Sequence, residues 1–312
     1  ADAHDSKSCG AIHAGSIPAF GTKISIQLLE SIFLISDTKI PPVGIFLYFK
    51  ICYNIFIMSK IISVVNQKGG VGKTTTAVNL AAALAEAGNF VLLVDLDPQG
   101  NATSGLGINY ENLDKGLYHA LAGQHRMHDI VVNTNHEGLR VAPATVDLAG
   151  ANVELVGAEN REFVLKNVLD EVRHAYDYII IDCPPSLGIL TLNGLVATDY
   201  ILIPVQAEYY ALEGLGQLLK TIQLVKENIR DDLQILGAVL TMYDSRTRLS
   251  GEIMGELYKY FPNSIFRSVI PRTVRLAEAP SFGKSIIHYE PRGKGAKAYE
   301  RLAQELLGYF GN

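Results

Sequence analysis

A glycine-rich stretch follows closely on an apolar run of strand length, residues 61–65 with the sequence I-I-S-V-V. The stretch reads K-G-G-V-G-K-T-T and consists of Lys68, Gly69, Gly70, Val71, Gly72, Lys73, Thr74 and Thr75. A strand that turns through glycines into a helix points several backbone N–H groups and the positive end of the helix dipole at one spot. Glycine is required there because a Cβ atom would hold the backbone away from a bound anion. The pattern therefore predicts a polyphosphate-binding loop between a strand and a helix.

The residues at the end of this loop supply the chemistry that a nucleotide needs. Lys73 is suited to neutralise the β- and γ-phosphates, the Thr74 hydroxyl to complete a Mg²⁺ shell, and Thr75 to bond a phosphate oxygen. The general phosphate-loop motif begins with a glycine where this chain has Gln67, so the motif is met only in part. The strand and helix signals on both sides of the loop still favour a nucleotide site.

Composition restricts the classes of protein to consider. Hydrophobic residues make up 48% and charged residues 19% of the 312 residues, which is typical of a globular protein and not of a disordered one. The formal net charge is −5, so binding to nucleic acid would have to depend on a local basic patch. Cys9, Cys52 and Cys183 form no C-x-x-C pair, which favours a reducing compartment without a structural metal. We expect Cys183 to be a small buried hydrophobic residue.

The first part of the chain differs from the remainder, and no methionine precedes Met58. Residues 43–57 are rich in Ile, Phe, Tyr, Lys and Asn, as expected of translated upstream DNA. A membrane anchor needs about 20 apolar residues, whereas this run is shorter and contains Lys50 and Asn54. A secretory signal would need a basic start and a small-residue cleavage site, which are not evident. We expect residues 1–57 to be a spurious or disordered extension, with a membrane-touching arm as the alternative, and residues 58–312 to form the domain.

Strand and helix signals alternate from Met58 onward. Continuous apolar strands separated by helices indicate a doubly wound, mostly parallel sheet that is covered by helices on both faces, with the ligand at the carboxyl ends of the strands. The predicted strands are residues 61–65, 90–94, 139–142, 178–181, 200–205 and 235–242, and the predicted helices include 74–87, 113–122 and 161–174.

Three aspartates lie where predicted strands end. Asp182 follows the run Y-I-I-I and fits a Walker-B carboxylate that holds Mg²⁺ through a water molecule. Asp95 and Asp97 are two residues apart, and one could orient the attacking water while the other supports the metal shell. A turn rich in Asp and Pro is the alternative interpretation of these two.

Together these motifs resemble one family. The loop, then V-D-L-D-P-Q-G-N at 94–101, I-I-I-D-C-P-P-S-L-G at 179–188 and I-P-R-T-V-R-L-A-E-A-P-S-F-G-K at 270–284 are similar to the deviant Walker-A ATPases of the ParA/MinD superfamily. The similarity is greatest to the ParA/Soj branch, which partitions chromosomes or plasmids. It implies a P-loop ATPase that uses ATP and Mg²⁺.

The resemblance also implies roles for single residues. The family's first loop lysine, here Lys68, reaches across a homodimer interface to the partner's ATP. Such a lysine would add a positive charge at the transferring phosphoryl group, as an arginine finger does. Asp97 matches the water-orienting aspartate, and Asp95 its neighbour in the metal shell. Gly69 matches the closest approach of the two protomers. Pro271 and Thr273 match residues that line the nucleotide base, where the family often has Asn in place of Thr273.

The last part of the chain has the opposite charge to the whole. Residues 241–312 contain 11 Lys or Arg against 7 Asp or Glu. The resemblance identifies Arg246 and Arg275 with arginines that hold double-stranded DNA without sequence preference. Phosphate contacts suit that task because they carry no sequence information, and a dimer doubles the basic surface. An ordinary solvated face with ion pairs is the alternative.

The resemblance further implies a ParB/Spo0J-type centromere-binding partner that stimulates hydrolysis, and a cytoplasmic, nucleoid-associated location. A MinD-like membrane-associated positioning ATPase is the alternative function. That function needs a C-terminal amphipathic helix with a basic face. Residues 298–312 instead have apolar spacing suited to packing on the core, and no stable membrane association is expected.

Overall fold

A parallel sheet organises the chain in the computed structural model, which describes residues 59–208, 213–262 and 264–311. The expectation for residues 1–57 lies outside this part of the chain. Within it, seven strands form one sheet in the order β3-β4-β2-β5-β1-β6-β7, with β3 antiparallel to β4 and the other neighbours parallel. The strands are β1 (Lys60–Val64), β2 (Val91–Asp95), β3 (Val132–Asn133), β4 (Leu139–Ala142), β5 (Tyr178–Asp182), β6 (Tyr200–Gln206) and β7 (Gln234–Thr241).

Helices cover both faces of the sheet. They are α1 (Lys73–Glu86), α2 (Asn101–Gly105), α3 (Leu117–Leu121), α4 (Met127–Ile130), α5 (Leu148–Glu154), α6 (Val164–Asp170), α7 (Ile189–Ala197), α8 (Glu213–Asn228), α9 (Arg248–Tyr260), α10 (Val274–Glu278), α11 (Ile286–Tyr289) and α12 (Lys294–Phe310). Short 3₁₀ turns lie at Tyr110–Asn112, Leu155–Gly157, Arg173–Ala175 and Ala279–Phe282.

Successive side chains of each strand point to opposite faces of the sheet, so the core consists of two layers. Ile61 and Ile179 belong to the layer under α6, α7 and α8, whereas Ile62 and Ile180 belong to the layer under α1 and α12. Both faces of β2 and β5 are fully buried. The predicted doubly wound, mostly parallel fold is therefore confirmed.

The predicted strands agree with the structure to within one or two residues. Two predicted helices are shorter than expected. The helix predicted for residues 113–122 begins only at Leu117, because Gly116 is extended and has Thr145 and the Pro143 carbonyl against the place of a Cβ atom. The helix predicted for 161–174 is α6 followed by a separate 3₁₀ turn. The short elements β3, α2 and α4 lack a periodic signal long enough to predict.

The C-terminal helix packs as its apolar spacing predicts. Leu302 and Leu306 on α12 are fully buried, and the Tyr299 hydroxyl lies 3.4 Å from the Thr76 hydroxyl of α1. None of the helices in the described part of the chain is both long and apolar enough to cross a membrane.

Two helical glycines give a test of this packing. A Cβ atom at Gly194 of α7 would lie 2.7 Å from the Cys183 sulfur and 3.2 Å from Leu96, whereas at Gly216 of α8 it would meet no described atom within 4 Å. Overpacking costs about 1–3 kcal/mol, and exchange of Gly for Ala in a helix gains about 1 kcal/mol. We expect Gly194→Ala to lower, and Gly216→Ala to raise, the free energy of unfolding measured by urea denaturation. Equal shifts for both variants would contradict the packing of α7 against β5.

Candidate nucleotide-binding site

The glycine-rich loop connects β1 to α1 and has the backbone that its sequence predicts. Gly70 and Gly72 have φ of 75° and 88°, in the left-handed region that a side chain disfavours. Gly72 is the N-cap of α1, and among the described residues no side chain caps this helix end. The N–H groups of the first turn are thereby left for a bound anion.

Two buried side chains on and beside the loop hold it to the neighbouring strands. The Asn66 amide donates to the Pro204 carbonyl of β6 at 2.7 Å and accepts from the Lys68 N–H at 3.0 Å. The Thr241 hydroxyl at the end of β7 donates to the Val71 carbonyl at 2.7 Å. Sequence reasoning missed both residues, although each is a polar residue at the end of an apolar run. The loop is thus fixed at its start and near its tip.

The two lysines of the loop differ in environment. Lys73 is only 6% exposed, and its ammonium donates to the Lys68 carbonyl at 3.1 Å. Burial lowers the pKa of Lys73, and Asp182 and Asp97 oppose that shift. The Lys68 side chain is one third exposed, and its ammonium lies 3.7 Å from the Glu208 carboxylate. Lys73 is therefore a buried charge held by the loop backbone, whereas Lys68 is partly exposed to solvent.

A cavity of about 500 Å³ opens over the loop, a size common for small-molecule sites. It brings together Gly69, Gly70, Gly72, Lys73, Thr74, Thr75 and Asp97 of the predicted residues. Residues that sequence reasoning did not select also line it, among them Asn79, Gln99, Asn101, Ser104, Met242 and Lys284. They come from α1, α2 and loops that are distant in sequence, so no local pattern could identify them.

Asp182 and Asp95 lie side by side in register at the ends of β5 and β2 but have different surroundings. The Asp95 carboxylate accepts hydrogen bonds from the Thr103 N–H at 2.8 Å, the Thr103 hydroxyl at 2.7 Å and the Asp97 N–H at 3.3 Å. Burial raises the pKa of Asp95 to about 6, although the bonds from Thr103 oppose the shift. Asp95 therefore holds the turn to α2, and its predicted role in the metal shell stays a prediction.

Asp182 is fully buried, and neither of its carboxylate oxygens has a hydrogen-bond partner of good geometry within the described residues. Burial raises the pKa of Asp182 well above its usual range, and the neighbouring Asp95 adds to the rise, while Thr74 and Lys73 oppose it. Unpaired buried carboxylate oxygens are costly. Asp182 is thus equipped to bind a cation or a cation's water.

Asp97 is 7% exposed and its carboxylate accepts from the Gln99 N–H at 3.0 Å. Among the described residues, no group of three His, Cys, Asp or Glu side chains forms a metal cluster. Mg²⁺ does not need such a cluster, because it usually keeps several waters and binds phosphate oxygens beside one or two carboxylates. The donor set of Thr74 and Asp182 therefore fits Mg²⁺.

A neighbouring cavity of about 570 Å³ shares Gly72, Thr75 and Met242 with the first. Pro271 and Thr273 line it, so the structure brings these predicted base-contacting residues to the other side of the loop. The Thr273 hydroxyl also caps α10 by accepting from the Leu276 N–H at 3.4 Å.

The two predicted DNA-binding arginines are exposed and paired with acids. Arg246 lines the neighbouring cavity and contacts both oxygens of Asp244, at 2.9 and 2.6 Å. Arg275 contacts Glu278 at 2.9 Å and Glu290 at 3.6 Å. Their side chains are 86% and 55% exposed, so solvent reaches both guanidinium groups.

Comparison of the sequence with known proteins is consistent with a nucleotide-binding site. The sequence model of a family described as an AAA domain matches residues 59–235, more than half of the chain. Sporulation initiation inhibitor protein Soj of Bacillus subtilis is 56% identical over 249 residues, which cover 80% of this chain and 98% of that protein. Chromosome partitioning protein ParA of Myxococcus xanthus is 53% identical and covers 80% of this chain and 88% of its own length.

Solved structures show the same architecture with nucleotide bound. Cobyrinic acid a,c-diamide synthase of Mycobacterium smegmatis, with bound ADP and magnesium, has a TM-score of 0.73 at 40% identity and covers 82% of this chain and 96% of its own. The septum site-determining protein MinD of Pyrococcus horikoshii, complexed with Mg-ADP, has a TM-score of 0.68 at 29% identity and covers 81% and 98%. The chain therefore belongs to the Soj/ParA family of chromosome-partitioning ATPases, and its enzymatic activity is the hydrolysis of ATP.

Proposed function

We propose that this chain is a nucleotide-operated DNA-partitioning switch, which binds ATP and Mg²⁺, closes into a homodimer and binds DNA until hydrolysis releases it. The observation that carries the proposal is the presence of two lysines in one phosphate loop: Lys73 is buried and lines the cavity, whereas Lys68 directly precedes the cavity-lining Gly69 and is one third exposed. One lysine suffices to hold phosphates within a subunit. A second, partly exposed lysine is useful where the phosphates of a partner's nucleotide approach the loop.

Within one subunit, the loop N–H groups and Lys73 hold the phosphates in a fixed orientation. The Thr74 hydroxyl and, through a water molecule, Asp182 would hold Mg²⁺, which would supply positive charge to the phosphates. Asp97, at the wall of the cavity, orients the water that attacks the terminal phosphorus. Asp95 supports this arrangement through the turn that carries Asp97.

Between subunits, Lys68 leaves Glu208 and contacts the partner's ATP. The exposed pair costs little to separate, because surface ion pairs contribute about 0–1 kcal/mol. Gly69 has open space around the place of its missing Cβ atom and permits close approach of the second backbone. Pro271 and Thr273 hold the base of the nucleotide in the neighbouring cavity.

The dimer presents Arg246 and Arg275 of both subunits to DNA. Both guanidinium groups are exposed. Arg246 holds Asp244 through two contacts, and a phosphate group offers the same bidentate geometry. A ParB/Spo0J-type protein stimulates hydrolysis, which ends the association with nucleoid DNA. The apolar face of α12 is buried against α1, so it is occupied by intramolecular packing and does not serve a membrane.

The first prediction concerns Asp182. Its raised pKa means that ionisation of the carboxylate at neutral pH opposes folding, and this cost disappears as the pH falls toward about 4, the usual Asp value. We therefore expect Asp182→Asn to raise the thermal midpoint at pH 7.5 without Mg²⁺ and to abolish the further rise that Mg²⁺ and ATP give the wild type. Differential scanning calorimetry at pH 7.5 and pH 4.5 measures both effects.

Asp177→Asn is the matched control, because Asp177 precedes the other end of β5 and its carboxylate accepts from the Phe90 N–H at 2.8 Å. It should leave the rise with Mg²⁺ and ATP intact. A normal rise in Asp182→Asn would exclude Asp182 as a metal-binding residue.

The second prediction concerns Lys68. Lys68→Ala should leave ATP affinity close to the wild-type value, because Lys73 and the loop N–H groups remain, but should abolish stimulated hydrolysis, with a loss of about 10³-fold or more. Phosphate release with DNA and the partner protein measures this rate. Lys226→Ala, which removes an exposed lysine of α8, should hydrolyse ATP normally. Full stimulated activity in Lys68→Ala would refute the shared site.

The third prediction concerns DNA. Arg246→Glu/Arg275→Glu should lose ATP-dependent binding to a random duplex at low salt, because four attractive contacts per dimer become repulsive. Fluorescence anisotropy of the labelled duplex measures the affinity. Arg126→Glu/Arg140→Glu makes the same change in net charge at other exposed sites and should bind DNA far better. If the two double variants bind equally, the assignment of Arg246 and Arg275 is wrong.

A further inference from the structure

The segment that contains Arg275 contributes a strongly basic part of the surface. Residues 272–297 contain six Lys or Arg and two Glu, an excess of four positive charges in a chain whose formal net charge is −5. All six cations are exposed. We name this surface the basic face, and its cations are Arg272, Arg275, Lys284, Arg292, Lys294 and Lys297.

A large aromatic side chain lies on the basic face in contact with solvent. Phe282 is 61% exposed, and its ring stacks on Tyr289 with centroids 5.0 Å apart and ring planes 30° apart. The Tyr289 hydroxyl donates to Glu278 at 3.2 Å, and Glu278 in turn contacts Arg275 at 2.9 Å. A continuous series of contacts therefore joins the exposed ring to the arginine proposed to bind phosphate.

The turn that carries Phe282 is rigid. The next residue, Gly283, has φ of 62°, and a Cβ atom there would lie 2.6 Å from the Gly107 Cα atom. Hydrogen bonds from the Gly283 N–H to the Pro280 carbonyl and from the Lys284 N–H to the Ala279 carbonyl close the turn at 3.0 and 3.2 Å. The backbone that carries the ring is thus held in place before any ligand arrives, which reduces the entropic cost of binding.

The same turn borders the nucleotide cavity. Ala279, Pro280 and Lys284 line that cavity, and the Ile286 N–H donates to Asn79 of α1 at 2.6 Å. The exposed ring is therefore fixed relative to the phosphate loop, and not only relative to its own surface.

Single exposed apolar residues are common and need no special cause. Phe282 differs because it lies on a rigid turn among exposed cations. A peptide partner that matched this charge would be acidic, but several exposed cations spread over one segment match the repeated phosphates along a duplex better. An apolar side chain can then pack on deoxyribose or insert at the minor groove beside those contacts.

We propose that Phe282 contacts double-stranded DNA, supplying an apolar contact between the phosphate contacts of Arg275 and the other cations of the basic face. The inference rests on the proposed function, since it extends the DNA surface from two arginines to a face with an aromatic centre. Phe282 contributes affinity that does not depend on counterion release, whereas each arginine contributes affinity that does.

The salt dependence of binding therefore distinguishes a contact made by Phe282 from one made by an arginine. The full chain with ATP is titrated into a labelled random duplex at several salt concentrations, and the dissociation constant is measured by fluorescence anisotropy. Phe282→Ala should weaken binding about fivefold at every salt concentration, with an unchanged slope of log affinity against log salt. Arg275→Ala should instead reduce the steepness of that slope by about 0.9 for each phosphate contact that is lost.

Matched variants make the result decisive. Phe282→Tyr keeps the ring and should bind like the wild type. Tyr309→Ala removes a ring that is 57% exposed and packs on Tyr200 at the amino end of β6, and it should also bind normally. Affinity of Phe282→Ala within twofold of the wild type, or an equal loss in Tyr309→Ala, would overturn the inference.

Failure of the proposed DNA binding as a whole would give a different set of results. If Arg246→Glu/Arg275→Glu binds DNA as the wild type does, the proposed DNA surface itself is wrong. If that double variant loses binding while Phe282→Ala keeps it, the arginines bind DNA and only the role of Phe282 is rejected.

Discussion

The fixed position of β1 in the middle of the sheet is the constraint on which the candidate site depends. β1 is hydrogen-bonded to β5 on one side and to β6 on the other, so it cannot slide without breaking both ladders. Ser63 adds a further restraint, since its N–H donates to the Thr198 hydroxyl at 2.9 Å and its own hydroxyl donates to the Gly194 carbonyl at 2.8 Å. The phosphate loop therefore starts from a rigid point, and the tethers from Asn66 and Thr241 extend that rigidity to its tip. Donors that are fixed in advance do not have to reorganise when charge develops on a phosphate.

The two buried aspartates at the ends of β2 and β5 differ in what they contribute to stability. Asp95 is buried but fully engaged by Thr103 and by the Asp97 N–H, so it strengthens the turn that follows β2. Asp182, directly beside it, is buried without such partners among the described residues. A carboxylate left in that state lowers stability, and proteins retain such groups where binding or catalysis requires them. The contrast separates a structural carboxylate from one that is suited to a cation.

For the two exposed arginines, ion pairs within the chain compete with contacts to phosphate. Arg246 and Arg275 each contact acids of their own chain, but exposed ion pairs contribute only about 0–1 kcal/mol. A phosphate offers an arginine equally good bidentate geometry and, in addition, releases counterions from the DNA. The acids therefore weaken each contact without preventing it. Under the proposed function, this keeps a single subunit a weak DNA binder and makes the doubled surface of a dimer effective.

The sequence by itself determined the loop, the alternation of strands and helices, and the aspartates at strand ends, because each depends on neighbours along the chain. Glycines at positions 70 and 72 permit the left-handed backbone that they adopt, and continuous apolar runs such as Y-I-I-I before Asp182 are diagnostic of buried parallel strands. Short elements such as β3 and α4 escaped prediction, since their stability comes from tertiary packing and not from a local period.

Only the tertiary structure decided which residues complete the site and how burial and hydrogen bonding affect their charges. Thr241 bonds the phosphate loop, and Lys284 lines the cavity over it, from segments far away in sequence. Asn66 lies beside the loop but ties it to the distant Pro204 of β6. The difference between Asp95 and Asp182 follows from the position of Thr103, eight residues beyond Asp95. The turn beside Phe282 likewise depends on the close approach of Gly283 to Gly107, which is distant in sequence. Sequence fixes which chemical groups are available along each strand and turn, whereas burial and hydrogen bonding arise only when distant segments pack together.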